Sequence, residues 1–285
     1  MKLRTLLFAP GDSQRKIEKA LASDADGLIL DLEDGVSPAN KTLARNTLAA
    51  LLPNRSRAQV AVRVNPRDSA FYLDDLAAIV PARPAAIMLP KCTGPEDLAA
   101  LDHHIEALEA ASAQPRGTIR VIAMVAESAA GIIALPRYRA IPERVIAFAF
   151  GAEDLAGDLG VPPRHASGGH PAPITAARAA TLLAAASCGV AALDTPFPDP
   201  RDEGGLIREA GAAAADGFAG KLLIHPSQIA PVRDAFLPDA ERIAWAHAVI
   251  GSFDPVNPGG VSTLHGKMIE LPHVKLARRI LASVD

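Results

Sequence analysis

Eight short apolar runs recur along the chain, each bounded by turn residues: 5–9 (TLLFA), 27–31 (GLILD), 60–64 (VAVRV), 86–90 (AIMLP), 121–126 (VIAMVA), 145–150 (VIAFAF), 190–194 (VAALD) and 221–225 (KLLIH). The fifth and sixth are unbroken rather than alternating, the pattern of strands covered on both faces, and so of a parallel sheet wrapped in helices. Segments of helical character lie between them, at 13–23, 39–52, 73–80, 95–111, 174–187, 203–215 and 226–236. Eight strand–helix repeats predict an α/β fold, a closed TIM (β/α)8 barrel over residues 1–237, with an open doubly wound sheet as the alternative. Two further segments, 240–252 and 271–284, are not needed to close a barrel and predict a C-terminal helical extension or lid over 238–285. The polar stretch 253–270 tethers the second of them, whose Leu271, Val274, Leu276 and Ile280 are spaced to dock as one helical face.

In a parallel barrel all strands end on one side, and the loops that follow them build the active face. Those loops carry the polar residues here: PGDS, LEDG, NPRD and KCTG after the first four runs, TPFPDP and HPSQ after the last two. Gly and Pro set such turns and Asp or Ser caps the next helix, so part of this polarity is structural. The fifth and sixth runs are each followed at once by acids, Glu127 in one case, Glu153 and Asp154 in the other. From neighbouring strand ends Glu127 and Asp154 would share a pocket, and two carboxylates with no basic neighbour in sequence invite a divalent cation with oxygen ligands. The competing role is N-capping of the following helices, and Asp154 is able to serve both purposes. The long Pro/Gly-rich stretch 160–174 after the sixth run predicts a lid or ligand-contacting loop, with His165 and His170 as candidate contacts.

Composition narrows the function. With 49% hydrophobic and 21% charged residues the 285-residue chain has material for a large core. A net charge of −3 without a basic run or interleaved aromatics argues against nucleic acid as the partner. The opening MKLRTLLFAPGD is too short and too broken for a secretory signal, and no stretch reaches the roughly 18 apolar residues of a membrane span, so a cytoplasmic protein without membrane partners is expected. Cys92 and Cys188 lie far apart without metal-type spacing to His and predict free thiols. Neither GxGxxG nor a P-loop is present.

In order along the chain, LLFAPGD, LILDLEDGV, VRVNP, IMLPK, the Glu127–Ser128 pair, FGAEDLAGDLG, DTPFPD, GFAGKLLIHPSQI and HGKMIELP together resemble the HpcH/HpaI aldolase superfamily. The branch they resemble is the citrate lyase β-subunit-like one, which includes malyl-CoA and citramalyl-CoA lyases, and the likeness runs nearly end to end. It implies a TIM barrel assembled as homotrimers or hexamers, with Mg2+ held by Glu127 and Asp154. The implied activity is cleavage or formation of a carbon–carbon bond in a 3-hydroxyacyl thioester, carried on coenzyme A or an acyl carrier protein, with a keto acid as the other product.

The resemblance also implies roles for single residues. Arg63, Glu127 and Lys19 become the substrate-binding positions, Arg63 for the keto-acid part and Lys19 for the phosphates of coenzyme A. Glu33 and Asp34 stand near the metal through water, while Asp31 is structural. Two departures stand out: Ser13 replaces an Arg after the PGD turn, and Glu270 replaces the Asp that reaches a neighbouring subunit's site as acid/base. Arg63 or the backbone N–H groups of 151–153 would stabilise the thioester enolate, which Glu270 protonates. The rivals are a class I aldolase using Lys91 as Schiff-base amine, a class II aldolase acting on pyruvate and free aldehydes, and a partner-dependent or non-catalytic acyl-thioester-binding paralogue.

Overall fold

In the computed structural model, which describes residues 1–54, 59–253 and 261–284, the eight apolar runs become β1 (Thr5–Pro10), β2 (Gly27–Asp31), β3 (Val60–Arg63), β4 (Ala86–Leu89), β5 (Arg120–Ala126), β6 (Val145–Phe150), β7 (Ala191–Asp194) and β8 (Gly220–Leu223). They pair in parallel in sequence order and β8 returns to β1, so the sheet closes as a barrel rather than staying open. Alternate residues of each strand point inward. Leu6, Ile29, Met88, Ile122, Leu193 and Leu222 meet there, and Ala61, Ala147 and Ala149 leave room for the long side chains opposite. The other residues of each strand face the helix layer, which is why the runs are mostly apolar on both faces, Asp194 and Lys221 being buried exceptions.

The helices are α1 (Gln14–Leu21), α2 (Lys41–Leu51), α3 (Tyr72–Ile79), α4 (Pro95–Ala111), α5 (Ala129–Ala134), α6 (Ala152–Leu159), α7 (Ala172–Cys188), α8 (Glu203–Asp216) and α9 (Ile229–Phe236). Two of them, α5 and α6, have no counterpart among the segments of helical character read from the sequence. Both are short and start directly after a strand, so no apolar period develops. The Pro/Gly-rich stretch therefore does not follow the sixth strand; it joins α6, ended by Gly160 in the left-handed conformation, to α7. No helix among the described residues is long and apolar enough to cross a membrane.

A polar layer lies outside the barrel wall. Asp194 and Lys221 are register partners whose side chains alternate with the inward Leu193 and Leu222. The fully buried Lys221 ammonium donates to Asp194 Oδ2 (2.6 Å) and to Glu209 Oε1 (2.7 Å), and Arg178 donates to Asp194 Oδ1 (2.8 Å). Burial pushes the Glu209 carboxyl up, but the hydrogen bonds and charges of Arg164 and Lys221 outweigh it and hold it down at about 2. Because its folded value lies below the ordinary 4.5, Glu209 contributes stability above pH 4.5 that is lost as pH falls through about 2. The contribution is on the order of 3 kcal/mol. Urea midpoints measured against pH should thus fall more steeply between those limits for the parent than for Glu209→Gln; equal slopes would show that the carboxylate adds nothing.

The chain divides into two compact units, Met1–Val232 and the residues from Arg233 on. The second contains α10 (Ala240–Gly251), the antiparallel pair β9 (Ser262–Leu264) and β10 (Lys267–Ile269), and α11 (Leu271–Ala282). Residues 254–260 of the tether lie outside the described residues. Its core joins Ala246 and Val249 of α10 to Ile269, Val274, Ala277 and Ile280. Leu271 and Leu276, expected on the docked face, are 49% and 46% exposed. Steps of 100° put Val274, Ala277 and Ile280 on one side of α11, and the small Ala277 is the centre of that face.

Candidate active site

At the carboxyl ends of the strands the barrel opens into a cavity of ≈ 280 Å³ whose walls include Phe8, Arg63, Met124, Glu127, Asp154 and Thr195. Its size suits a small acid and the head of a longer molecule. Glu127 reaches the cavity through an irregularity. Between Met124 and Ala126 the β5 strand advances two residues while β6 advances one, and such a bulge re-aims the side chains beyond it. Glu127 is almost fully buried, and its Oε2 accepts from the Lys91 N–H at 2.6 Å. Gly151, just past β6, is required beside it: a Cβ there would stand 2.7 Å from Glu127 Cγ. Burial, and then the nearby Asp154 carboxylate, push the Glu127 carboxyl up to about 8.

Helix capping does not account for these acids. The N-cap of α5 is Ser128, whose side chain accepts from the Gly131 N–H at 3.1 Å, and the N-cap of α6 is Gly151. Asp154 sits in the first turn of α6, where the helix dipole favours negative charge.

A second set of charges faces them from β2 and β3. Asp31 and Arg63 are register partners, and the Arg63 fork donates from Nε and Nη2 to the two Asp31 oxygens, both at 2.7 Å. Asp31 also accepts the N–H groups of Glu33 and Gly35, each at 2.9 Å, so it folds the LEDG turn around itself. The Arg63 guanidinium lies over the Phe8 ring at 4.8 Å. Its Nη1 is 2.9 Å from Glu33 Oε2 without hydrogen-bond alignment, and that buried oxygen has no hydrogen-bond partner. Arg63 is thus paired and oriented by Asp31, and only its remaining edge is left for a ligand. Burial raises the Glu33 carboxyl, against the charge of Arg63 and the hydrogen bond of Lys91.

Lys91 was visible only as a Schiff-base candidate. Its ammonium bonds Glu33, donates to Asp34 Oδ2 (3.1 Å) and stands 3.9 Å from Asp154 Oδ1. Burial favours the neutral amine, but the hydrogen bonds and charges of Glu33 and Asp34 prevail and hold Lys91 above the ordinary lysine range. A Schiff base needs the opposite, an amine easily deprotonated.

Other candidates fall elsewhere. Lys19 is exposed in the last turn of α1, and Ser13 is that helix's N-cap without a side-chain cap bond. His165 is exposed, whereas His170 contacts the Pro163 carbonyl through Nδ1 (2.7 Å) and Phe150 edge-on; neither lines the cavity. From the same stretch Arg164 donates to Glu153 (2.5 Å), Glu209 (2.7 Å) and the Pro196 carbonyl (2.7 Å), anchoring residues 160–171 beside the cavity. Of the three N–H groups at 151–153 expected as enolate donors, those of Gly151 and Ala152 are already used, by the Ala126 carbonyl (3.2 Å) and Thr195 Oγ1 (3.0 Å). In the second unit Glu270 is the half-buried N-cap of α11, its N–H donating to His273 Nδ1 at 3.0 Å.

Glu127 and Asp154 offer hard oxygen ligands, and the charge strain on Glu127 is what a bound cation would relieve. Among the described residues no group of three or more His, Cys, Asp or Glu converges to cage an ion. That suits Mg2+, which takes one or two carboxylates and leaves its other positions to water and substrate.

A closed parallel barrel with paired acids in a cavity at the carboxyl ends of its strands defines a (β/α)8 enzyme. The chain belongs to the HpcH/HpaI aldolase/citrate lyase family, whose model matches residues 4–226, and a model of C–C bond lyases of the TIM-barrel fold matches 178–284. It is a carbon–carbon lyase. The citrate lyase subunit beta of Haemophilus influenzae is 33% identical over 99% of this chain and 97% of its own. The mitochondrial citramalyl-CoA lyase of Rattus norvegicus is 32% identical over 98% and 85%. CitE from Mycobacterium tuberculosis, solved in complex with magnesium, acetoacetate and coenzyme A, aligns with a TM-score of 0.79 at 34% identity, over 99% of this chain and 98% of that one.

Proposed function

We propose that the protein cleaves a 3-hydroxyacyl-CoA thioester of citryl, citramalyl or malyl type to a keto acid and an acyl-CoA, with Mg2+ held by Glu127 and Asp154. The observation that carries this is the convergence of those two carboxylates in the cavity at the barrel mouth. Bound there, Mg2+ would supply Lewis-acid stabilisation to the hydroxyl and carboxylate oxygens of the keto-acid half. Glu33 and Asp34 orient water around it. Arg63, held in place by Asp31, steers the keto-acid part and offsets the enolate charge. The hydroxyl proton passes to solvent water, the carbon–carbon electrons pass into the thioester enolate, and the Glu270 carboxyl of a neighbouring subunit, reprotonated from solvent after each turnover, gives its proton to the enolate carbon. Lys19 meets the phosphates of coenzyme A. The enzyme works as a homotrimer or hexamer in the cytoplasm, in keeping with the exposed Ile133 and Leu183 on α5 and α7.

A cleavage assay over malyl-, citramalyl- and citryl-CoA tests the proposal. Keto acid should appear from at least one and vanish with EDTA. Condensation of pyruvate with free aldehydes and no thioester cleavage would indicate the class II alternative, although no histidine is among the cavity-lining residues to act as its base. Binding of coenzyme A without turnover of any thioester would indicate the partner-dependent or non-catalytic one. Within the proposal, Arg63→Lys should weaken keto-acid binding about tenfold or more while leaving Mg2+ affinity nearly unchanged, because an ammonium cannot hold Asp31 with two bonds and still present an edge to the ligand. Equal keto-acid affinity by calorimetry would count against it.

A further inference from the structure

Lys91 meets four acids, Glu127 and Asp154 of the cavity lining and Glu33 and Asp34 beside it. Its N–H donates to Glu127 Oε2 at 2.6 Å, and its ammonium bonds Glu33, bonds Asp34 at 3.1 Å and stands 3.9 Å from Asp154. To do so the residue adopts φ +53°, the left-handed conformation that side chains other than Gly, Asn and Asp rarely take. Such strain persists only where the surroundings impose it, and it clusters at functional sites. The contacts are graded. Glu33 and Asp34 are hydrogen-bonded to the ammonium, whereas Asp154 is within its charge field but beyond hydrogen-bond distance and stays free to turn to another cation. The lysine side chain is 37% exposed, so it has room to withdraw.

We infer that Lys91 is a resident counter-cation of this acidic site: its single positive charge is shared among Glu33, Asp34 and Asp154 in the metal-free protein, and Mg2+ binds in competition with it. Lys91 is then a positioning residue with two parts. The backbone N–H keeps Glu127 in place with or without metal, and the ammonium yields Asp154 to the ion and retires onto Glu33 and Asp34. The lysine lowers the affinity for Mg2+ while preventing the acids from repelling one another before the ion arrives. This rests on the proposal that Glu127 and Asp154 hold Mg2+.

Calorimetric titration of Mg2+ into the chelator-treated full-length protein tests it, comparing the parent with Lys91→Asn, Lys91→Met and Lys91→Arg. Asparagine tolerates the left-handed backbone and methionine keeps the length of the stem; both retain the N–H and remove the charge. Each neutral variant should bind Mg2+ about tenfold more tightly than the parent, whereas Lys91→Arg should stay within about threefold of it. Without Mg2+ the neutral variants should melt below the parent, and saturating Mg2+ should restore them. Equal or weaker Mg2+ binding in both neutral variants, with the parent binding normally, overturns the counter-cation role and leaves the metal site standing. A parent that binds no Mg2+ overturns both.

Discussion

Glu127→Gln and Asp154→Asn are each expected to abolish measurable Mg2+ binding and to lower kcat/KM for thioester cleavage by at least about a thousandfold, the scale of the charge stabilisation a catalytic metal supplies. Loss of either removes one of the two carboxylates proposed to hold the ion, together with its negative charge, and weakens the grip on a strongly hydrated cation. The fold should survive. Glutamine keeps the shape of Glu127 and its carbonyl can still accept from the Lys91 N–H, while a buried carboxylate already crowded by Asp154 is replaced by a neutral group. The metal-free melting temperature of Glu127→Gln should therefore not fall. Calorimetry with Mg2+ and circular dichroism check both halves, and unchanged metal affinity in both variants would refute the site.

Glu270→Ala is expected to eliminate turnover while sparing Mg2+ and keto-acid binding. Glu270 opens α11, and Val274, Ala277 and Ile280 seat that helix on α10, so the direction of the carboxylate is set within the second unit. If it serves a neighbouring subunit, mixing Glu270→Ala with Arg63→Ala should partly restore activity through hybrid oligomers that hold one intact site. Glu270→Asp should preserve or raise cleavage, since the family resemblance implies the shorter acid there and a displacement of about 1 Å matters greatly to rate. Turnover by Glu270→Ala at the parent's rate would reduce Glu270 to a helix cap and leave the enolate without its proton donor.

The barrel was legible in the chain because strands buried on both faces read as near-continuous apolar runs, and eight such runs between helices have few ways to close. Glu127 and Asp154 were legible for a related reason: carboxylates beside buried strands are costly unless they serve a purpose, and their place in the order of strands puts them on neighbouring ends. The family likeness then attached Mg2+ chemistry to them. What surrounds the pair was not legible. Lys91 lies 36 residues from Glu127 in sequence and 58 from Glu33, and only barrel closure brings their side chains together. The acids that looked free of basic neighbours in fact share their site with an ammonium and a guanidinium.

By itself the sequence determined the eight strands and the neighbouring strand ends beyond which Glu127 and Asp154 stand in one cavity, since local periodicity and strand order encode these. Tertiary structure alone decided the rest. Arg63 is committed to Asp31, the N–H groups of Gly151 and Ala152 are consumed within the fold, a bulge turns Glu127 inward, and α11 docks through Ala277 instead of Leu271 and Leu276. Each of these depends on which partner in space reaches a polar or apolar group first, and that competition is settled by packing between residues far apart in the chain.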